Sequence, residues 1–499
     1  MSDLDKILQQ FDAVKGQRSS WEASREDIKK FVCPESDRNT DVYASIPSHA
    51  ASVLASNLQS LLVNPATKWF SVDLTNIEKS EDTLAWCQSV EKQLNEVLNF
   101  RATNFFSQIH EFFLTLVTYG TGVFYIEEDP KLPFCTFFRN IPLEECYFED
   151  NRFGFVDSIY REFKLTNKVA ASIWGDNTKL QKIAEKDPDE KINILHVVHP
   201  NEDKKQNKDY VSLYIMIDDK EILNESSYSY FPFLVTRWVK HADSSYGYAP
   251  AHHVMPDIRL LNEYRQIGIK IKQKQVNPPL LVPQQGYMLP LNTAPGQMNF
   301  YQNSTVDKII PLSNLENIEP TLDEQERCDQ AIRAAFFMDV FHLPKENKEM
   351  TASEVGVRSE EQMRMMSPIV GRIEAELLDP LIHNLFKILV KYKHIDTGST
   401  KAPDIDINYI SPLARAQRLE STRSMENVLL FLANTGAANF APEIYDNFNW
   451  DEMLKLYSNL QNCPQNIFHN EKEVAHTRRL RAQQQEQQMM MAAQQGGES

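Results

Sequence analysis

Residues able to do chemistry are plentiful in this sequence, but their spacing argues against most of it. The six cysteines, Cys33, Cys87, Cys135, Cys146, Cys328 and Cys463, are scattered with no CxxC or CxH spacing. That distribution suits buried reduced thiols better than a zinc cluster or a disulfide framework. His196 and His199 sit in a β-rich run and His252 and His253 adjoin a helix start, yet neither pair has a carboxylate and a third ligand at metal-binding spacing. The phosphate-cradling glycine signatures are absent: Gly120–Thr121–Gly122 follows an apolar helix rather than a strand and is expected to be a turn. No GxSxG or HExxH occurs. Adjacent carboxylates such as Glu144–Glu145 and Glu360–Glu361 are what an acidic chain supplies by chance. The expectation is a protein that is not an enzyme and holds no metal or cofactor; a metal-dependent nuclease built from clustered acids is the enzymatic alternative.

The elements that would have to position such groups are those of a large chain. At 499 residues and 42% hydrophobic content it can form two to four domains with real cores. The longest apolar stretch, around Phe112–Tyr125, falls short of the roughly 18 uninterrupted apolar residues a membrane helix needs. The start, MSDLDKILQQ, is acidic where a signal peptide is basic, so a cytosolic chain with no membrane contact is expected. A formal charge of −17 opposes specific nucleic-acid binding, which needs a basic surface. It does not oppose DNA as cargo, because a conduit that gripped phosphates along its length would hold the DNA still.

Periodicity divides the chain further. Up to Phe100 the pattern is mainly helical: a serine-capped helix with Trp21, Ile28, Phe31 and Val32 on one face, a small-residue helix over Ala50–Val63 stopped by Asn64–Pro65, a strand at WFSVDL and a helix over Trp86–Leu98. Phe105–Val117 forms another apolar helix. From Gly122 short aromatic and β-branched runs predict antiparallel strands, interrupted by a helix at Asn167–Trp174 and resuming at Ile192–Val198, Tyr210–Ile217 and Phe233–Val239. A helix over Pro256–Gln275 places Leu260, Tyr264, Ile267 and Ile271 on one stripe. Pro278, Pro279, Pro283, Pro290 and Pro295 then forbid a helix and suit short edge strands. Capping boxes at Thr321/Glu324 and Thr351/Glu354 start two more helices, the first reaching Phe341 and the second Lys393 with a kink from Pro368 and Pro380. A strand at Ile405–Ile410 and helices over Ala414–Ala433, Pro442–Leu460 and from Glu471 complete the chain, which ends in a low-complexity Gln/Met tail expected to be disordered.

Six runs, in this order, resemble the portal or head-to-tail connector family of short-tailed, podovirus-type double-stranded DNA bacteriophages. They are WEASREDIKKFVCPE, ASVLASNLQSLLVNPATKWFSV, VTYGTGVFYIEE, SYGYAPA, MTASEVGVRSEE and ISPLARAQRLE, spanning Trp21 to Glu420. The resemblance implies an α+β portal fold with a helical stem, an antiparallel β and helical wing, a small β-containing clip and a helical crown. Its parts would be residues 1–247 (wing), 248–276 (first stem helix), 277–319 (clip), 320–341 (second stem helix), 342–351 (channel loop), 352–411 (kinked helix and wing strand), 412–482 (crown) and 483–499 (tail). The Gln/Met-rich end departs from the family pattern and leaves the extent of the crown open. The resemblance further implies a ring of about twelve copies at one capsid vertex, assembled in the host bacterial cytoplasm and carried in the virion. Double-stranded DNA would pass through it as non-specific cargo. Partners would be the terminase large subunit, then tail adaptor and nozzle proteins, with the major capsid and scaffolding proteins around it.

Within that architecture Lys345, Glu346, Asn347, Lys348 and Glu349 would face DNA from the channel loop, although an ordinary charged connector reads the same way. Lys270, Lys272 and Lys274 suit either a solvated face or the channel or clip side of the stem. The stripe of Leu260, Tyr264, Ile267 and Ile271, with Gly268 permitting close approach, is either core or the contact between neighbouring stems.

Overall fold

The computed structural model describes residues 3–33, 41–66, 68–74, 81–175, 178–201, 209–241, 244–276, 280–281, 310–311, 319–341, 365–396 and 405–409, together with 448–460 and isolated positions between 426 and 483. The chain divides into two units, Met1–Ser411 and Pro412–Ser499.

The first unit is α+β, and every strand pairing in it is antiparallel. It opens with helices α1 (Asp3–Gln17), α2 (Ser19–Phe31) and α3 (Ile46–Leu62), strand β1 (Phe70–Leu74), then α4 (Glu81–Asn99) and α5 (Phe105–Tyr119). The serine cap expected for α2 is not formed: Arg18 is the N-cap residue and Ser19 is already helical. Arg18 turns its side chain into the interior instead. Gly120 caps α5 at φ +79, a conformation glycine adopts freely. The expected Gly–Thr–Gly turn is therefore a single residue, and Thr121 and Gly122 already belong to strand β2 (Thr121–Glu128).

Strands β2, β3 (Thr136–Ile141) and, further along, β9 (Phe233–Arg237) form a sheet of order β3-β2-β9. Alternation on β2 and β3 sends Phe124 and Phe138 to the α5 side, where they stack on each other and meet Phe105 and Phe112 edge-on, with ring centroids 5.1–6.1 Å apart. A five-stranded sheet follows from β4 (Cys146–Asp150), β5 (Val156–Thr166), β6 (Lys191–Pro200), β7 (Tyr210–Met216) and β8 (Glu221–Tyr228), in sequence order. Helices α6 (Asn167–Ile173) and α7 (Thr178–Lys186) intervene between β5 and β6. Neighbouring residues take opposite faces. Phe148, Ile159 and Val198 pack towards β2 and β9, while Tyr147, Tyr160 and Val197 pack under Phe11 and Val14 of α1. The far half of the first face is covered by α6 and α7 through Ala170 and Leu180. Strand β8 and helix α7 did not stand out in the sequence: β8 lies at the sheet edge and reads EILNESSY, largely polar.

A short ribbon, β10 (Val239–Lys240) with β11 (Gly247–Tyr248), leads into α8 (Pro250–Val276). This helix begins six residues before the expected start, so Pro256 stands inside it. It is the seventh helical residue, so the bond its N–H would have returned to the His252 carbonyl is missing from the second turn. Strands β12 (Leu280–Leu281) and β13 (Ile310–Pro311) pair across the proline-rich segment, as short edge strands should. Helix α9 (Glu319–Ala335) starts ahead of Thr321, which thus lies in its first turn and not at its cap. The helix expected to run to Phe341 is broken by Phe337 at φ 54 and resumes as α10 (Met338–Phe341). The channel-loop segment and the capping box at Thr351 lie outside the described residues.

The long helix reappears as α11 (residues 365–373), a widened π turn over Glu374–Leu378, and α12 (Asp379–Lys391). The widening has a cause. Pro380 has no N–H to return to the carbonyl four residues back, and Asp379 N–H bonds Glu374 O, five residues back, so the chain absorbs the proline within one loosened turn. Strand β14 (Ile405–Tyr409) pairs with β1. In the second unit, α13 (Trp450–Leu460) is amphipathic and Arg478 makes a bidentate pair with Asp451, 2.7 and 2.5 Å.

Candidate functional site

Three of the six runs singled out in the sequence converge where α8 leaves the sheets. Gly120 and Gly247 meet back to back: a Cβ on Gly247 would lie 2.1 Å from Gly120 O, and one on Gly120 would lie 2.5 Å from both Ala249 N and Gly247 O. No residue but glycine fits at either position. Gly120 O accepts from Trp238 N at 2.8 Å, and Gly247 N donates to Thr121 Oγ1 at 2.7 Å, so the approach is held by hydrogen bonds as well as by contact. Beside it Trp21 stacks on Tyr246, centroids 4.7 Å apart, and Tyr246 leans on Phe148 at 4.4 Å.

Two buried arginines brace this root. Arg18 donates through Nη1 to Cys146 O (2.8 Å) and Glu144 O (3.2 Å), and its guanidinium lies 4.5 Å from the Tyr147 ring centroid. Burial pushes the Cys146 thiol up to about 12, so it stays protonated and inert. Arg237 lies at the end of β9. Its Nη2 reaches Glu376 Oε1 at 2.7 Å and Gly154 O at 2.8 Å, its Nη1 reaches Asp150 at 3.0 Å, and its backbone N–H reaches Glu376 Oε2 at 2.8 Å. Lys240 shares Asp150. The π turn forced by Pro380 thus presents the carboxylate that locks the long helix onto the root.

From the root α8 runs 27 residues, about 40 Å. Ala251, Val254, Met255, Ile258 and Leu261 bury one face. Arg259 pairs with Asp27 of α2, and Asn262 bonds Tyr43 N and Asp41 O. Helix α9 lies alongside, with Arg265 at 3.4 Å from Asp329 and Gln325 Nε2 at 3.3 Å from Tyr264 O. The predicted stripe is not the one the chain buries. Leu260 is 37% exposed and Ile267 44%, Tyr264 and Ile271 are half-buried, and neighbouring Ile269 is exposed as well. Gly268 faces Gln325 of the same chain, where a Cβ would stand 3.7 Å from Nε2, so that contact does not require glycine. Lys270, Lys272 and Lys274 are exposed on the last turns of α8 and carry no ion pair among the described residues. Lys345, Glu346, Asn347, Lys348 and Glu349 lie outside the described residues.

The histidines take structural places. His196 is fully buried, stacked 4.0 Å from Tyr214 and bonded to Ser212 Oγ at 2.9 Å, and burial lowers its pKa to about 3. His252 accepts the Ala249 N–H through Nδ1 and so caps α8; burial lowers it to about 4. No group of three His, Cys, Asp or Glu residues fit to hold a metal occurs among the described residues. No described helix is long and apolar enough to cross a membrane. What sequence reasoning missed here is the Arg237–Glu376–Asp150 clamp, whose members lie far apart in the chain and carry no local signature.

Comparison with known proteins agrees with this architecture. The family of bacteriophage head to tail connecting proteins matches residues 4–468. The chain is 25% identical over 515 residues to a probable portal protein of Bordetella phage BPP-1, covering 95% of this chain and 90% of that one. It is likewise 25% identical over 525 residues to the portal protein of Salmonella phage epsilon15, covering 97% and 92%. A match across nearly the whole chain, on a sequence whose six runs already followed that family's order, settles the affiliation: the chain belongs to the bacteriophage portal, or head-to-tail connector, proteins.

Proposed function

We propose that copies of this chain close into a ring of about twelve at one capsid vertex, forming the channel through which double-stranded DNA enters during packaging and leaves at ejection. Helices α8 and α9 are the stem, the β12–β13 segment between them the clip, the sheets the wing and the C-terminal unit the crown. The observation that carries this reading is the division of α8 into two stripes. One is buried in the chain's own interior, whereas Leu260 and Ile267, on the opposite side, are left to solvent on a helix that is otherwise firmly seated. A ring supplies a neighbouring copy for every such stripe. In this reading the basic end of α8 and the loop over Lys345–Glu349 lie nearest the clip and the DNA, and the clip face receives the terminase large subunit first and tail adaptor and nozzle proteins afterwards. Major capsid and scaffolding proteins surround the wing. The protein itself hydrolyses nothing; the motor is its partner's.

The test is light-scattering mass and negative-stain microscopy of the purified protein at low and high salt. Rings with a central hole are expected, weaker at low salt because a net charge of −17 per copy repels across a thinly screened interface. Ile267→Asp should yield folded monomer. A parent protein that is monomeric at every salt concentration defeats the proposal.

A further inference from the structure

The outer halves of α8 and α9 carry opposite charges on opposite sides of the helix pair. Contacts between the helices fix their register: Gly268 stands against Gln325, and Arg265 against Asp329. The two run antiparallel, so Lys270, two residues beyond Gly268, is level with Asp323, two residues before Gln325. At about 100° per residue, Lys270 lies about 200° round α8 from Gly268, and Asp323 about 200° round α9 from Gln325. Each therefore points away from the other helix. Ile267, Lys270 and Lys274 share that outward side of α8 at i, i+3 and i+7, and Asp323, Glu326 and Gln330 share that of α9 at the same spacing. All six are exposed.

The charges on these two edges are unanswered within the chain. Among the described residues neither Lys270 and Lys274 nor Asp323 and Glu326 make an ion pair, and Glu326 receives only Gln330 Nε2, at 3.5 Å. Lysines late in a helix and acids early in one complement its dipole. That accounts for the ends they occupy but not for the sides, because an inward pairing was open to them: Arg265 and Asp329 pair across the same seam. The handedness of the helices adds a second condition. Measured from the shared seam, the α8 edge and the α9 edge turn to opposite faces of the pair. A second pair laid alongside in the same orientation then brings its basic edge onto the acidic edge of the first. Two different surfaces meeting in a constant sense make a heterologous contact, which a ring closes, whereas a self-complementary patch would close a dimer. Apolar groups flank both rows, Ile267 (44% exposed) on α8 and Leu322 (52%) on α9, so the edges match in polarity as well as in charge.

We infer that the Lys270–Lys274 edge of α8 in one copy seats against the Asp323–Glu326 edge of α9 in the next, so that these two lysines bind protein and not DNA. Lys272, about 200° from both, takes no part. This rests on the ring reading and gives the exposed stripe of α8 its partner. Two charge-exchanged full-length chains test it, at one salt concentration at which the parent assembles. Lys270→Glu/Lys274→Glu makes both edges acidic, and Asp323→Lys/Glu326→Lys makes both basic. Each alone should need about tenfold more protein for half-maximal ring assembly. An equal mixture of the two should assemble like the parent, since every acidic edge then finds a basic one. A second measurement uses the unaltered chain, whose folding is not in question. Rings assembled from an equal mixture of isotopically light and heavy protein are treated with a zero-length carbodiimide, which should join Lys270 of one label to Asp323 or Glu326 of the other. Either exchanged chain assembling like the parent, a mixture no better than its components, or carbodiimide links that are absent or confined to one chain overturns this inference and leaves the ring reading standing. A parent protein that forms no rings overturns both.

Discussion

Replacing Arg237 is the most informative single perturbation. Its side chain is 1% exposed and makes short bonds to Glu376 (2.7 Å), Gly154 O (2.8 Å) and Asp150 (3.0 Å). Arg237→Ala leaves Glu376, whose side chain is 9% exposed, with one backbone N–H, and Asp150 with Lys240 alone. Breaking a buried pair by removing one partner costs about 3–5 kcal/mol, and these distances put Arg237→Ala in that range. Arg237→Lys should recover little, because an ammonium cannot span Glu376, Asp150 and Gly154 O with a fixed fork. Glu376→Gln keeps an acceptor and should cost about 1–3 kcal/mol. The Arg237→Met/Glu376→Leu double variant should be less damaging than Arg237→Ala, since it strands no charge. Urea midpoints on the four variants give the energies, and hydrogen exchange locates them: protection should fall first across Glu374–Lys391 and the Asn151–Phe155 turn. If Arg237→Lys retains parental stability within about 1 kcal/mol, or if protection falls elsewhere, the clamp is not what joins the long helix to the root.

Three further outcomes follow from the structure. Gly247→Ala should be worse than a typical surface change, above about 2 kcal/mol, because its Cβ meets a carbonyl at 2.1 Å; soluble yield and unfolding midpoint test this. His196 and His252, lowered by burial to about 3 and about 4, bind a proton in the unfolded chain before they do in the folded one. Their stabilisation is thus complete above pH ~6.5 and lost as pH falls, by up to about 1.4 kcal/mol per pH unit each; His196→Phe should flatten the urea midpoint between pH 6.5 and 4.5. Shortening Lys345–Glu349 to a brief Gly/Ser linker should spare ring assembly and impair DNA packaging or retention, scored by phage complementation; equal packaging would make the loop a mere connector.

Elements with a period were legible in the sequence, and long-range junctions were not. The strands of the body were read from runs of aromatic and β-branched residues, because several of them are packed on both faces, whereas polar β8 at the sheet edge has no such run. The serine before Trp21 looked like a cap, but Arg18 finds buried carbonyls and aromatic faces that only the folded sheet supplies. Pro256 looked like a helix start, and the true start lies earlier because His252 Nδ1 and the glycine contact set it. The stripe of Leu260, Tyr264, Ile267 and Ile271 was correctly seen as periodic, yet periodicity alone does not say whether a stripe faces its own chain or a neighbour. Only the burial of Ala251, Val254, Ile258 and Leu261 on the other face separates the two.

In the proposed ring, the stiffness of the root would bear directly on closure. A helix about 40 Å long that tilts by about 5° at its base displaces its far end by about 3.5 Å, enough to slide one side-chain row past another and misplace Ile267 against a neighbour. A closed ring compounds the error, since each subunit sets the position of the next. Fixing the angle at one point therefore takes more than a flexible linker and a greasy face. It takes contacts that admit a single arrangement: two glycines in backbone contact, an indole stacked on a phenol, and a buried guanidinium holding β9, the β4–β5 turn and the long helix together. Those are the places where the chain commits buried charge and residues that cannot be exchanged, and they lie at the base of the helix where a small angular error has the longest lever.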